Sequence, residues 1–104
     1  MELKDRIAAA LATIPGARVL RVRPVRDRWL ASVVSPAFND LPHLDRQKLI
    51  DAALTGPQSQ LTAEEYRSIA LVVTYSPREF RGLLTERRAN RARRLKQKPA
   101  EPTP

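Results

Sequence analysis

The chain has 104 residues, 42% of them hydrophobic, and no cysteine. That is enough for one small core and no second domain, and it excludes disulfides, thiolate metal sites and a cysteine nucleophile. The formal net charge is +8 and it is concentrated: residues 78–98 carry nine Lys/Arg against two acids, whereas residues 1–77 carry ten against eight.

Residues 2–13 are predicted to be a helix, because Leu3, Ile7, Ala10, Leu11 and Ile14 recur at three- and four-residue steps. Pro15-Gly16 stops it. Ala17 to Arg23 then reads as a strand, Pro24 to Asp27 as a polar turn and Arg28 to Val34 as a second strand, and so short a connection favours an antiparallel hairpin. A loop with Phe38 at its centre leads to a helix over residues 41–54, with Asp40 as its cap and Leu44, Ile50, Ala53 and Leu54 as apolar contacts.

Two capping boxes follow. Thr62 with Glu65 starts a helix of a turn or two, and Ser76 with Glu79 starts the last one; Leu61/Tyr66 and Tyr75/Phe80 are placed as hydrophobic staples. Between them Ser68 to Tyr75 is apolar and β-branched, and is expected to be the central strand. In the final helix Phe80, Leu83 and Leu84 can dock. Residues 85–98 have helix-forming composition but little to pack with, and the arm they form is expected to fray; residues 99–104 hold three prolines and are expected to be disordered. The domain therefore spans 1–84, followed by a basic, proline-ended extension over 85–104.

The order helix, strand, strand, helix, short helix, strand, helix is an α+β plan: a three-stranded sheet with helices on one face. Three stretches carry a more specific resemblance: Val33-Val34-Ser35-Pro36-Ala37-Phe38, then Arg46-Gln47-Lys48, then Ile69-Ala70-Leu71 with Tyr75-Ser76-Pro77-Arg78-Glu79. In order and spacing they resemble the BolA family of class II KH-like folds. That family has an R-H-R where this chain has Arg46-Gln47-Lys48, and an H-A-L where it has Ile69-Ala70-Leu71. The resemblance implies docking to a monothiol glutaredoxin around a shared [2Fe–2S] cluster. Here Gln47 and Ile69 stand at the histidine positions, and Pro24-Val25-Arg26-Asp27-Arg28 carries neither His nor Cys. Cluster ligation needs thiolate or imidazole, so no cofactor is expected.

His43 is the only histidine and lies at a helix start with no second imidazole or thiol and only Asp40 and Asp45 nearby, so it reads as a partly exposed helix-end residue. No phosphate loop, nucleophile elbow or His–carboxylate–nucleophile set is present, and a non-enzymatic protein is expected. The three glycines do not form a Gly-x-x-Gly clamp. Arg18, Arg21, Arg23, Arg26 and Arg28 decorate the hairpin, where a wet sheet face or a guarded edge accounts for them. Trp29 reads as core or as a base-stacking ring.

The candidate nucleic-acid contacts are Arg46 and Lys48, together with Arg87, Arg88, Arg91, Arg94 and Lys98 of the basic segment. Arg87, Arg91, Arg94 and Lys98 fall on one helical stripe. The expectation is a regulatory binding protein that meets nucleic acid through this segment. The alternative is an adaptor for an acidic or glutaredoxin-like protein that has lost cluster ligation. The longest apolar runs, Ala8 to Ala12 and Ile69 to Val73, are five residues each, and the N-terminus carries acids (Glu2, Asp5) and no secretory apolar segment, so a cytoplasmic protein with no membrane partner is expected.

Overall fold

The computed structural model describes residues 2–97, and Lys98 and the segment 99–104 lie outside the described residues. The elements in chain order are α1 (Leu3–Leu11), β1 (Arg18–Val25), β2 (Arg28–Val34), a 3₁₀ turn (Pro36–Phe38), α2 (His43–Thr55), α3 (Ala63–Arg67), β3 (Ile69–Tyr75) and α4 (Pro77–Gln97). This is the expected α+β order.

The strands lie in the order β1-β2-β3, with β1 antiparallel and β3 parallel to β2. The expectation that β3 is central is therefore corrected: β2 is central and β3 is an edge. A hairpin must place β1 beside β2, and the α2–α3 crossover returns the chain to the other side of β2. An apolar, β-branched strand is consistent with either position, which is why composition alone misplaced it.

The hairpin loop is tighter than expected. Only Arg26 and Asp27 lie between the strands, and Arg26 takes φ 60°, at the position where such loops usually carry glycine. Pro24 lies inside β1, opposite Trp29. An edge strand tolerates it because one side of the backbone makes no ladder bonds.

The core lies between one sheet face and the first two helices. Ile7, Ala10, Leu11 and Ile14 pack with Ile50 and Leu54 of α2 and with Val22, Ala31, Val33 and Val72 of the sheet. Phe38, fully buried, closes one end, and Trp29 packs against this core with part of its surface exposed.

The start of α2 also differs from expectation. Its first residue is His43 and its N-cap is Pro42, with no side-chain cap; Asp40 instead takes φ 59° in the preceding loop. Leu44 is 68% exposed rather than packed. Both capping boxes form as read from the sequence. Thr62 Oγ1 accepts from the Glu65 N–H while Glu65 accepts from the Thr62 N–H. Ser76 and Glu79 do the same.

Candidate nucleic-acid interface

The start of α4 is fixed by three local features: the Ser76–Glu79 box, Pro77 in the first turn, and Tyr75 against Phe80 with ring centroids 6.0 Å apart. Phe80 and Leu83 are half-buried, and Leu84 is 37% exposed. From residue 84 to residue 95 every side chain is exposed, yet the helix runs on to Gln97. Alanine, arginine, leucine, lysine and glutamine are good helix formers, so intrinsic propensity favours the helix where packing does not. The stretch from Thr85 to Gln97 reaches about 20 Å, in a molecule measuring 59 × 33 × 23 Å.

This arm presents the predicted arginines. Arg87, Arg91 and Arg94 line one shallow concavity with Asn90 and Leu95, and Arg88 and Arg93 flank it. The described residues form three ion pairs, Arg6–Glu65, Arg46–Glu79 and Lys48–Asp45, and none involves an arm arginine.

Arg46 is placed differently from the others. Its Nη1 and Nη2 donate to the two Glu79 carboxylate oxygens at 2.6 and 3.2 Å, and its Nε donates to the Leu41 carbonyl at 2.8 Å. Its guanidinium lies 5.9 Å from the Phe38 ring centroid, and the side chain is only 12% exposed. It is a tie between α2, the preceding loop and the first turn of α4, and it is not presented to a polyanion. Lys48 remains 73% exposed, with Asp45 at 3.9 Å.

The groups with shifted pKa values have structural explanations. Glu79 is held down at about 2, chiefly by Arg46 and then by the Ser76 N–H. Glu65 is lowered by Arg6 and the Thr62 N–H. Tyr66 is raised by its bond to the Asp51 carboxylate at 2.8 Å.

Gln47 and Ile69, at the positions where the resemblance sets histidines, line one cleft of about 190 Å³ between α2, α3 and β3. The polar side chains there are Gln47, Asp51, Tyr66 and Arg67, and the Asp51 carboxylate already accepts from Tyr66. No group of three His, Cys, Asp or Glu able to hold a metal occurs among the described residues. A donor set without thiolate or imidazole does not fit a [2Fe–2S] cluster.

The arrangement that sequence reading missed is on the sheet face away from α1 and α2. Cross-strand register sets three rows there: Arg23–Leu30–Leu71, Arg21–Ser32–Val73 and Arg18–Val34–Tyr75. Arg21 and Arg23 share a face by simple alternation, but Arg18 joins them only because the register shifts between Val19 and Arg21.

No protein-family model matches the chain, and no curated protein sequence matches it. Among solved structures it is similar to a BolA protein homologue from Coxiella burnetii, at 23% identity and a TM-score of 0.51, over 76% of this chain and 91% of that one. The chain thus has a BolA-like fold. No described helix is long and apolar enough to cross a membrane.

Proposed function

We propose that this chain is a non-enzymatic, regulatory binding protein in which a BolA-like scaffold carries an arginine-bearing helix to nucleic acid. The observation that supports this most directly is the arm itself. Arg87, Arg88, Arg91, Arg93 and Arg94 are exposed on a single helix, and no described acid pairs with them. A solubilising surface would intersperse charges of both signs. Lys48 contributes as a separate exposed cation; Arg46 does not contribute. The shifts at Glu65 and Glu79 come from an ion pair and a cap each, and that at Tyr66 from its hydrogen bond to Asp51, so none of them marks a catalytic group.

The test is a salt titration of binding to random duplex. Neutralising six phosphates gives a slope of log affinity on log salt of about −5. Replacing Arg87, Arg91 and Arg94 with glutamine is expected to bring that slope toward zero by about 3. Affinity indifferent to salt removes the reading.

An adaptor role is supported by a different feature. The β3 edge is uncharged from Ile69 to Tyr75, with Leu71 49% exposed, and such an edge can pair with a partner strand. Capture of an acidic or glutaredoxin-like partner that survives removal of residues 85–104 favours this second role.

A further inference from the structure

The sheet face away from α1 and α2, which α4 meets only at its Tyr75 end, has an organisation that solubility does not require. Along the β1 edge run Arg18, Arg21 and Arg23, all exposed and in none of the ion pairs of the described residues. Along β3 run Leu71, Val73 and Tyr75, with Leu30, Ser32 and Val34 between. Two strand spacings separate the cationic row from the apolar row by about 10 Å, and the arginines at 21 and 23 are spaced about 7 Å along the strand. At one end Tyr75 meets Phe80, and the Arg18 guanidinium lies 5.6 Å from the Phe80 ring centroid. Arg18 and Arg81 line the same shallow cleft with Phe80 and Val34, so the arginine row continues into α4.

We infer that this open face binds single-stranded nucleic acid, with the backbone along Arg18, Arg21 and Arg23 and the bases turned over Leu30, Leu71, Val73 and Tyr75. The inference rests on the nucleic-acid reading of the arm and adds a substrate class to it. A duplex offers phosphates to the arginines but keeps its base faces stacked, leaving the apolar row without a partner. A single strand offers both at once: Tyr75 is the one aromatic ring on which a base can stack and Leu30, Leu71 and Val73 give apolar cover to base faces, contacts that tolerate any base sequence. The cations of this face lie along the β1 edge and, at Arg28, at the hairpin end of β2, whereas β3 carries none from Ile69 to Tyr75, so the occupant must carry its charge along one side and flat apolar groups along the other. An extended nucleic-acid strand does so.

The experiment is fluorescence anisotropy with labelled oligo-dT and with a short random duplex, using the full chain, the sheet variant R21A/R23A and the arm variant R87A/R91A/R94A, with far-UV circular dichroism to check each fold. The sheet variant is expected to weaken oligo-dT binding at least tenfold and duplex binding less than twofold, while the arm variant weakens both. Leu71→Glu, at an exposed position, is expected to reproduce the selective loss without removing a cation. Equal losses on both nucleic acids, or none in the sheet variant, overturn the inference while leaving the arm reading intact. Wild-type-like binding of both nucleic acids by the arm variant, with loss of oligo-dT binding in the sheet variant, overturns the arm reading alone. Displacement of oligo-dT by polyglutamate at equal charge makes the face a receptor for acidic protein and overturns the inference.

Discussion

The Arg46 guanidinium holds the Glu79 carboxylate across a separation of 33 residues, with Nη1 2.6 Å from Oε1. The same carboxylate oxygen accepts from the Ser76 N–H at 2.8 Å. One side chain therefore caps α4 and anchors it to α2, and the direction in which the arm leaves the domain depends on it. Glu79 is about half exposed, so solvent screens the pair and its contribution is about 1 kcal/mol at most.

The pH dependence of that contribution has a definite sign. Folding lowers the Glu79 pKa from its ordinary 4.5 to about 2. Its stabilisation is complete above the unfolded value and is lost as pH falls through that interval. Urea unfolding of wild type and Glu79→Gln is expected to differ by about 1 kcal/mol at neutral pH and to converge as pH falls toward 2. A difference that stays constant with pH assigns the effect to packing instead.

Gly16 and Gly82 are expected to respond to alanine with opposite signs. Gly16 takes φ +68°, and a Cβ there would sit 2.9 Å from Pro36 Cγ. Gly16→Ala should cost about 1–2 kcal/mol from backbone alone, before the clash is added. Gly82 lies within α4, with nothing within 4 Å of an added Cβ. Gly82→Ala should stabilise that helix by about 0.5–1 kcal/mol. Thermal melts read both, since 1 kcal/mol moves the midpoint by about 4–8 °C in a domain of this size.

Features set by neighbours in sequence were the legible ones. The boxes at Thr62/Glu65 and Ser76/Glu79, the α1 face and the hairpin follow from residues a few positions apart. What was not legible depended on distant parts of the chain or on irregular backbone. Arg46 reads as a free cation until the fold brings Glu79 to it. β3 reads as central because burial of one face and burial of both demand similar residues. Arg18 joins the outer arginine row through a bulge that alternation cannot anticipate, and Asp40 looks like a cap although its backbone is left-handed. Of the candidate site, the arm arginines were visible as a charge cluster, whereas the sheet face was not.

Ser35 is fully buried and serves two groups at once. Its Oγ donates to the Pro15 carbonyl at 2.6 Å and accepts from the Ala37 N–H at 3.0 Å. It thereby joins the α1–β1 turn to the exit of β2. Ser35→Ala leaves both groups without this partner and should cost about 1–3 kcal/mol. Denaturant unfolding with an unchanged m-value is the expected signature, because the loss is local. A cost near zero would mean that the Pro15 carbonyl finds water.

The arm and the domain should be energetically separable. From Thr85 to Leu95 every described side chain of α4 is exposed, so a chain ending at Thr85 is expected to melt within a few degrees of the full protein. The helix beyond that point is too short to be robust alone. Arg87 and Arg91 stand four residues apart and Arg91 and Arg94 three, spacings at which like charges disfavour the helix by a few tenths of a kcal/mol per pair. Neutralising them removes that penalty. Added polyanion should therefore raise the 222 nm helical signal of the full chain and leave the truncated chain unchanged. Heating should reduce the arm's helicity before the domain's cooperative transition. An arm that melts together with the domain, or a truncation that lowers the midpoint by ten degrees or more, would show that α4 is held by contacts the separation denies.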